Sequence, residues 1–295
     1  MKNLAGRTAL ITGGASGIGL SIARALVQRN ARVAIADIDG VAAEGAAAAL
    51  RACGATVMAA TLDVADAAAW SRTATAVEDE LGPVSIVCSN AGVGSGGKTV
   101  DQLSPEEWRW VFSINVDAHF IAAREFIPRM RNRGEGHLLQ TISMAGLIET
   151  PYQGAYGASK HAAMGLARIL RAELNGSGIG VTVICPGIVR TNLARSAFKA
   201  RPEALAGDEV LAEAMQSVLA QGMEPDYIGE RAIQAIEADE FYVLTHADWA
   251  PIVEAQANEL LGSFRDSAEP GYRDDFEALA AVSTRIPGSA SANGD

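Results

Sequence analysis

A glycine cluster between an apolar run and an amphipathic stretch constrains this chain most. Residues 7–12 read as a short β-strand and lead into Gly13-Gly14-Ala15-Ser16-Gly17-Ile18-Gly19, after which Leu20, Ile22, Ala23, Leu26 and Val27 recur at helical spacing. Strand, glycine turn and helix in that order let the backbone approach a pyrophosphate and aim free N–H groups and a positive dipole end at it. The spacing Gly13-x-x-x-Gly17-x-Gly19 is not the G-x-G-x-x-G form, yet its physical demands are the same. A second strand, residues 32–37, closes on Asp37, 20 residues after Gly17. A carboxylate there can accept hydrogen bonds from both ribose hydroxyls of an adenosine, whereas a 2′-phosphate beside it would be repelled. Ser16 and Ile38, where a compensating Arg or Lys would stand, are uncharged. The pattern predicts NAD over NADP; taken by itself, Asp37 reads as a strand-end turn residue.

Further strands are expected at 56–63, 84–89, 136–143 and 181–187, with a short last one at 241–244. Helices are expected at about 40–53, 66–81, from Ser104, 116–130, 153–175 and from Pro225. Strands alternating with helices at these intervals imply an α/β fold with a doubly wound parallel sheet and right-handed crossovers. The uninterrupted apolar run at 84–89 suits a strand covered on both faces. Residues 191–223 carry no strand signal and read as a helical substrate lid inside a domain spanning 1–250. Residues 251–282 read as a helical extension and 283–295 as a disordered tail.

With 49 % hydrophobic residues over 295 positions, a sizeable core is expected. No uncharged apolar run approaches the ~18 residues that span a bilayer, and no signal-peptide pattern opens the chain, so no membrane partner and a cytoplasmic location are expected. Net charge is about +3 for residues 1–200 and −14 for residues 201–295, which argues against nucleic-acid binding. Cys53, Cys88 and Cys185 lie far apart among apolar neighbours and read as buried reduced thiols. The four histidines lack metal-ligand spacing, so no metal is expected.

Tyr156-x-x-x-Lys160 lies in an Ala-rich stretch of helical character, so the phenol and the ammonium share one helix face. Such a pair alone is commonly a solvated one. Ser143, thirteen residues upstream at a strand end, and the glycine loop make the joint pattern a different matter. A nearby cation favours the phenolate, and a serine can hold a substrate oxygen beside it, an arrangement suited to moving the proton of a carbinol.

These motifs, with Asp63-Val64, Asn90-Ala91-Gly92, Asn115 and Pro186-Gly187 followed by Thr191, resemble the short-chain dehydrogenase/reductases over about residues 5–245. The resemblance implies a Rossmann-type sheet of about seven parallel strands, a nicotinamide cofactor and a homotetramer or homodimer. It implies a catalytic tetrad of Asn115, Ser143, Tyr156 and Lys160, Asn115 holding a water that relays the proton; on residues alone Asn115 reads as a helix kink or cap. It further implies that Gly13, Ser16, Gly17, Ile18 and Gly19 cradle the dinucleotide, and that Asp63 and Val64 meet the adenine edge. Asn90, Ala91 and Gly92 would lie under the cofactor, and Pro186, Gly187, Val189 and Thr191 would hold its nicotinamide end. Met144 departs from the family, where a second serine is frequent, and suggests a more apolar pocket. The stretch from Met223 to His246 is more loosely similar to bacterial Cα-dehydrogenases of lignin-derived aryl ethers. Val93, Met144, Gln153, Leu193, Phe198 and Trp249 are candidate pocket residues for a hydrophobic secondary alcohol. Ketone reduction in the physiological direction, or a non-catalytic dinucleotide-binding protein, are the alternatives.

Overall fold

The computed structural model describes residues 1–205 and 207–264. Seven parallel strands, β1 (Thr8–Thr12), β2 (Arg32–Asp37), β3 (Val57–Thr61), β4 (Val84–Ser89), β5 (Gly136–Thr141), β6 (Ile179–Cys185) and β7 (Tyr242–Leu244), form one sheet in the order β3-β2-β1-β4-β5-β6-β7. This is the Rossmann-type doubly wound fold expected from the alternation. Two strands begin and end at the expected residues: β2, an apolar run between Arg32 and Asp37, and β4, which follows Gly82-Pro83 and runs into Asn90.

Side-chain alternation along the strands divides the core in two. Ala9, Ile11, Val33, Ile35, Ile86 and Cys88 face α1 (Gly17–Gln28), α2 (Gly40–Ala52) and α9 (Pro225–Ala238). Leu10, Ala34, Ala36, Val84 and Val87 face α3 (Ala67–Leu81), α5 (Ala118–Arg133) and the far end of α6 (Gly154–Glu173). Both faces are covered, which is why these strands read as continuous apolar runs rather than alternating ones. Trp70 of α3 is fully buried, lies edge-on to Phe126 of α5 at 6.3 Å and donates its indole N–H to the Val64 carbonyl at 3.0 Å.

Between α4 (Pro105–Phe112) and α5 the chain does not break and resume, as the sequence pattern suggested. It stays helical through a π turn at Ser113–Asp117, which accommodates one extra residue and turns Asn115 inward. Segment 191–223 holds α7 (Leu193–Ala200) and α8 (Glu209–Leu219), and α10 (Ala250–Gly262) follows β7. The expected extension is described only as far as residue 264; its remainder and the expected tail lie outside the described residues. Cys88 and Cys185 are buried as expected, whereas Cys53 is exposed, because it caps the C-terminus of α2 rather than packing under it. No helix among the described residues is long and apolar enough to cross a membrane.

Trp70→Ala removes a fully buried ring and leaves a cavity between α3 and α5. We expect a loss of about 3–5 kcal/mol, read from the urea midpoint with an unchanged denaturant slope.

Candidate active site

The connections run outward from β1 to β3 in one direction and from β4 to β7 in the other, so a crevice opens beyond the carboxyl ends of β1 and β4. The glycine loop forms its floor. Gly17 has φ +52, a conformation that favours glycine, and a Cβ on Gly19 would collide with the Gly13 carbonyl oxygen. The loop is therefore folded back on itself ahead of α1, with the helix N-terminus facing the cleft. Asp37 steadies this shape: its carboxylate accepts from the Ala15 and Asp39 amides, each at 3.2 Å, and it also lines the cleft. The turn-residue and ligand-facing readings of Asp37 thus coexist. Asn90 stitches three strand ends together, donating to the Thr12 carbonyl at 3.1 Å and accepting from Thr141 Oγ1 at 3.0 Å. Asp63, held in an Asx turn by the Ala65 amide at 2.9 Å, stands at the same end of the cleft with Val64.

At the other end, α6 brings Tyr156 and Lys160 onto one face, with the Lys160 ammonium 5.6 Å from the centre of the phenol ring. Lys160 is 4 % exposed and donates to the Thr141 carbonyl at 3.4 Å. Ser143, just past β5, accepts from the Ala145 amide at 3.1 Å and donates to the Pro186 carbonyl at 3.4 Å. Ser143, Tyr156 and Lys160 all face the cleft, with Ala91, Gly92, Pro186, Gly187, Val189 and Thr191 beside them.

Burial dominates the electrostatics here. It pushes the Lys160 ammonium down to about 8 and the Tyr156 phenol upward, a hydrogen bond with Ser143 offsetting part of the latter. The spacing alone suggests that lysine lowers the phenol; in the protein by itself burial sets the direction, and the group that opposes it is Ser143. Tyr156 as a residue is half-buried and lines the cleft, and burial at its hydroxyl sets the direction of the shift.

Asn115 is completely buried behind the cleft rather than in its wall. Its amide accepts from the Val93 N–H and donates to the Val93 carbonyl, both at 2.9 Å, and donates to Ser159 Oγ at 3.1 Å. It ties the π turn to the loop after β4 and to α6. Gly92 separates it from Lys160: an added Cβ would stand 3.2 Å from Asn115 Oδ1 and 3.5 Å from Lys160 Nζ.

Of the candidate pocket residues, Val93 and Leu193 line the cleft. Met144 does not, because its side chain is drawn into the core with Ile142, Met164 and Cys185. Gln153 precedes α6, forms an isolated parallel backbone bridge with Lys98 and is not among the cleft-lining residues. Phe198 turns toward Gly207, and Trp249 packs against the same core cluster as Met144. Ile114, Thr141 and Ile142 also line the cleft without having been singled out, as do Asn192, Ser196, Ala200 and Leu219 within the expected lid. Leu193, Ser196 and Ala200 recur on one face of α7, a period that the sequence displays. Sequence reasoning also missed Glu107, a buried carboxylate that accepts from Ser95 at 3.0 Å and Lys98 at 2.8 Å and pairs with Arg201 at 3.2 Å. Burial by itself would raise this carboxyl, but these three donors hold it below its ordinary value.

The family profile described as short chain dehydrogenase matches residues 7–202. The chain belongs to the short-chain dehydrogenase family. A 1-deoxy-11-beta-hydroxypentalenate dehydrogenase of Streptomyces exfoliatus is 38 % identical over 244 residues, 82 % of this chain and 84 % of that one. A C alpha-dehydrogenase of a Sphingobium species is 30 % identical over 290 residues, 95 % of this chain and 94 % of that one. A short-chain dehydrogenase/reductase from Burkholderia phymatum in complex with NAD superimposes with a TM-score of 0.85 at 30 % identity, covering 92 % of this chain and all 100 % of that one. A metagenomic short-chain oxidoreductase in complex with NADP superimposes with a TM-score of 0.66 at 26 % identity, covering 82 % and 96 %. As a member of this family the chain is an oxidoreductase acting on CH–OH groups, and the cleft is that of a nicotinamide-dinucleotide-binding fold.

The buried ammonium has a thermodynamic consequence. Folded Lys160 titrates near 8 against 10.5 when unfolded, so the folded chain binds fewer protons between those values. The cost of burying the charge is full below about pH 8 and is relieved as pH rises toward 10.5. Lys160→Met in the cofactor-free protein is expected to be more stable than wild type at pH 7, by about 1–3 kcal/mol, with the gain shrinking at pH 10. Urea midpoints at the two pH values check this.

Proposed function

We propose that this chain is an NAD-dependent dehydrogenase that interconverts a hydrophobic secondary alcohol and its ketone, with Tyr156 as the general acid/base. What carries the reading is that Ser143, Tyr156 and Lys160 stand at one end of a cleft whose other end is the glycine loop and Asp37. The glycine loop, tight enough that a Cβ on Gly13 would stand 3.0 Å from Ala91 Cα, suits a pyrophosphate laid against backbone. Gly13, Ser16, Gly17 and Ile18 would hold the pyrophosphate, Asp37 the adenosine ribose, Asp63 and Val64 the adenine, and Pro186 to Thr191 the nicotinamide end. When bound, the nicotinamide takes or returns the hydride of the carbinol carbon.

Ser143 donates to the substrate oxygen and holds it beside the phenol. Tyr156 removes the hydroxyl proton in oxidation and returns it in reduction. Lys160, whose Nζ lies 5.6 Å from the ring, supplies the positive charge that favours the phenolate once formed. Asn115 shapes the proton's exit by fixing the π turn beside Lys160. Among the cleft-lining residues the charged groups are Asp37 and Asp63 at the adenosine end and Lys160. The substrate end is apolar, with Val93, Ile142, Leu193, Ala200 and Leu219, which supports an uncharged hydrophobic alcohol. The names of the relatives above support a carbinol substrate.

Within a domain spanning residues 1–250, we assign residues 191–223 the role of lid over that end. The Gln216 amide on the Thr191 carbonyl at 2.7 Å ties the segment to itself, and the Arg201–Glu107 pair, with the Arg201 guanidinium 5.1 Å from the Trp110 ring, anchors it to α4.

Two measurements test the reading. Tyr156→Phe should lower kcat by about a thousandfold while the Kd for NAD stays within about twofold; near-normal turnover would remove the role given to the phenol. With a responsive alcohol, kcat/KM for NAD should exceed that for NADP by at least about tenfold, and Asp37→Ala should shrink the gap; a preference for NADP in the unaltered chain would overturn the cofactor assignment.

A further inference from the structure

Beyond β7, and beyond residues 7–202 that match the family profile, His246 lies against the outer side of the loop that enters the cleft at Pro186 and Gly187. Its ring bridges two consecutive backbone units. Nδ1 accepts from the Gly187 N–H at 3.0 Å, and Nε2–H donates to the Ile188 carbonyl at 3.1 Å, so the neutral ring with its proton on Nε2 satisfies both. The Thr245 hydroxyl also lies 3.0 Å from Nδ1, and Trp249 meets the ring edge-on at 6.3 Å while packing against the core cluster that contains Ile142 and Cys185. A Cβ on Gly187 would stand 2.9 Å from the imidazole, so a glycine is what lets ring and loop meet. The same loop is tied on its other side. The Pro186 carbonyl accepts from the Met144 amide at 2.9 Å and from Ser143 Oγ at 3.4 Å, and the Ile188 carbonyl also accepts from the Met223 amide at 2.9 Å.

We propose that His246 is a positioning residue: it fixes the backbone of Pro186-Gly187-Ile188 in the shape that receives the nicotinamide end of the dinucleotide and, through the Pro186 carbonyl, keeps Ser143 in register with that end. The inference rests on the reading of residues 186–191 as the nicotinamide-holding loop. It gives the segment after β7 a function that a solvated surface stretch would not have. A loop with free amides has several backbone arrangements, and a rigid two-point brace leaves one, so the binding step no longer has to order it.

The test compares NAD with ADP-ribose, which carries the same adenosine and pyrophosphate without the nicotinamide. His246→Ala is expected to weaken NAD about tenfold, the scale of one hydrogen bond, and to leave ADP-ribose within about twofold. The KM for NAD should rise by a similar factor and kcat should fall. His246→Gln, which retains one acceptor and one donor, should recover most of the loss. If the alanine variant does not fold, His246→Met fills the same space without the two contacts and serves in its place. Equal weakening of both ligands would mean a general loosening and would overturn the proposal, as would unchanged NAD binding. Thr191→Val separates the two levels. If it weakens NAD selectively while His246→Ala does not, the brace is wrong and the loop reading stands; if neither variant is selective, the loop reading falls and the brace with it.

Discussion

An ammonium buried beneath a cleft is the interaction on which this structure turns. Lys160 is almost wholly removed from water, with a carbonyl at 3.4 Å as its nearest hydrogen-bond acceptor, and burial drives it toward neutrality. Such a charge is costly to keep in a core, and packing an apolar side chain in its place would be cheaper for the fold. Its neighbours show why it is held there. Tyr156 lies one helical turn away, and across Gly92 stands Asn115, itself locked by Val93 and Ser159. The arrangement places a buried ammonium beside the Tyr156 phenol at the wall of the cleft.

That placement is useful only if the surrounding loops do not drift, and hydrogen bonds between strand ends prevent it. Thr12, Asn90 and Thr141 link β1, β4 and β5 at the level of the cleft, while Pro186 links the loop after β6 to Ser143. Every one of these contacts joins residues more than forty positions apart in the chain. The parallel sheet makes them possible, because it delivers the carboxyl ends of successive strands to one edge. The segment after β6 is held in turn by Met223 and His246, so the site is braced from behind by residues that do not enter it.

Much of the fold was legible from the chain. β2 and β4 were bounded to the residue, since each is a dense apolar run closed by a sharp polar or glycine signal, and the alternation of strands with helices implied a doubly wound sheet. The π turn was not legible: one extra residue in a helix leaves no mark in apolar periodicity, and it is held by Asn115 pairing with a distant backbone. Met144 is expected at the pocket because it replaces a serine frequent in the family, yet its side chain, like that of Trp249, packs on the core side, a direction no local pattern gives. Glu107 reads in the sequence only as the third-position glutamate of a capped helix start, and the folded chain alone brings Lys98 and Arg201 to it.

By itself the sequence determined the periodic elements, the glycine geometry before α1 and the shared helix face of Tyr156 and Lys160, because each depends on spacing within a few residues. Tertiary structure alone decided the sign of the phenol's shift, the inward turn of Asn115 and the brace of His246 on Gly187. Burial and long-range hydrogen bonds are properties of what lies around a group, and no local pattern in the chain encodes the far side of a contact.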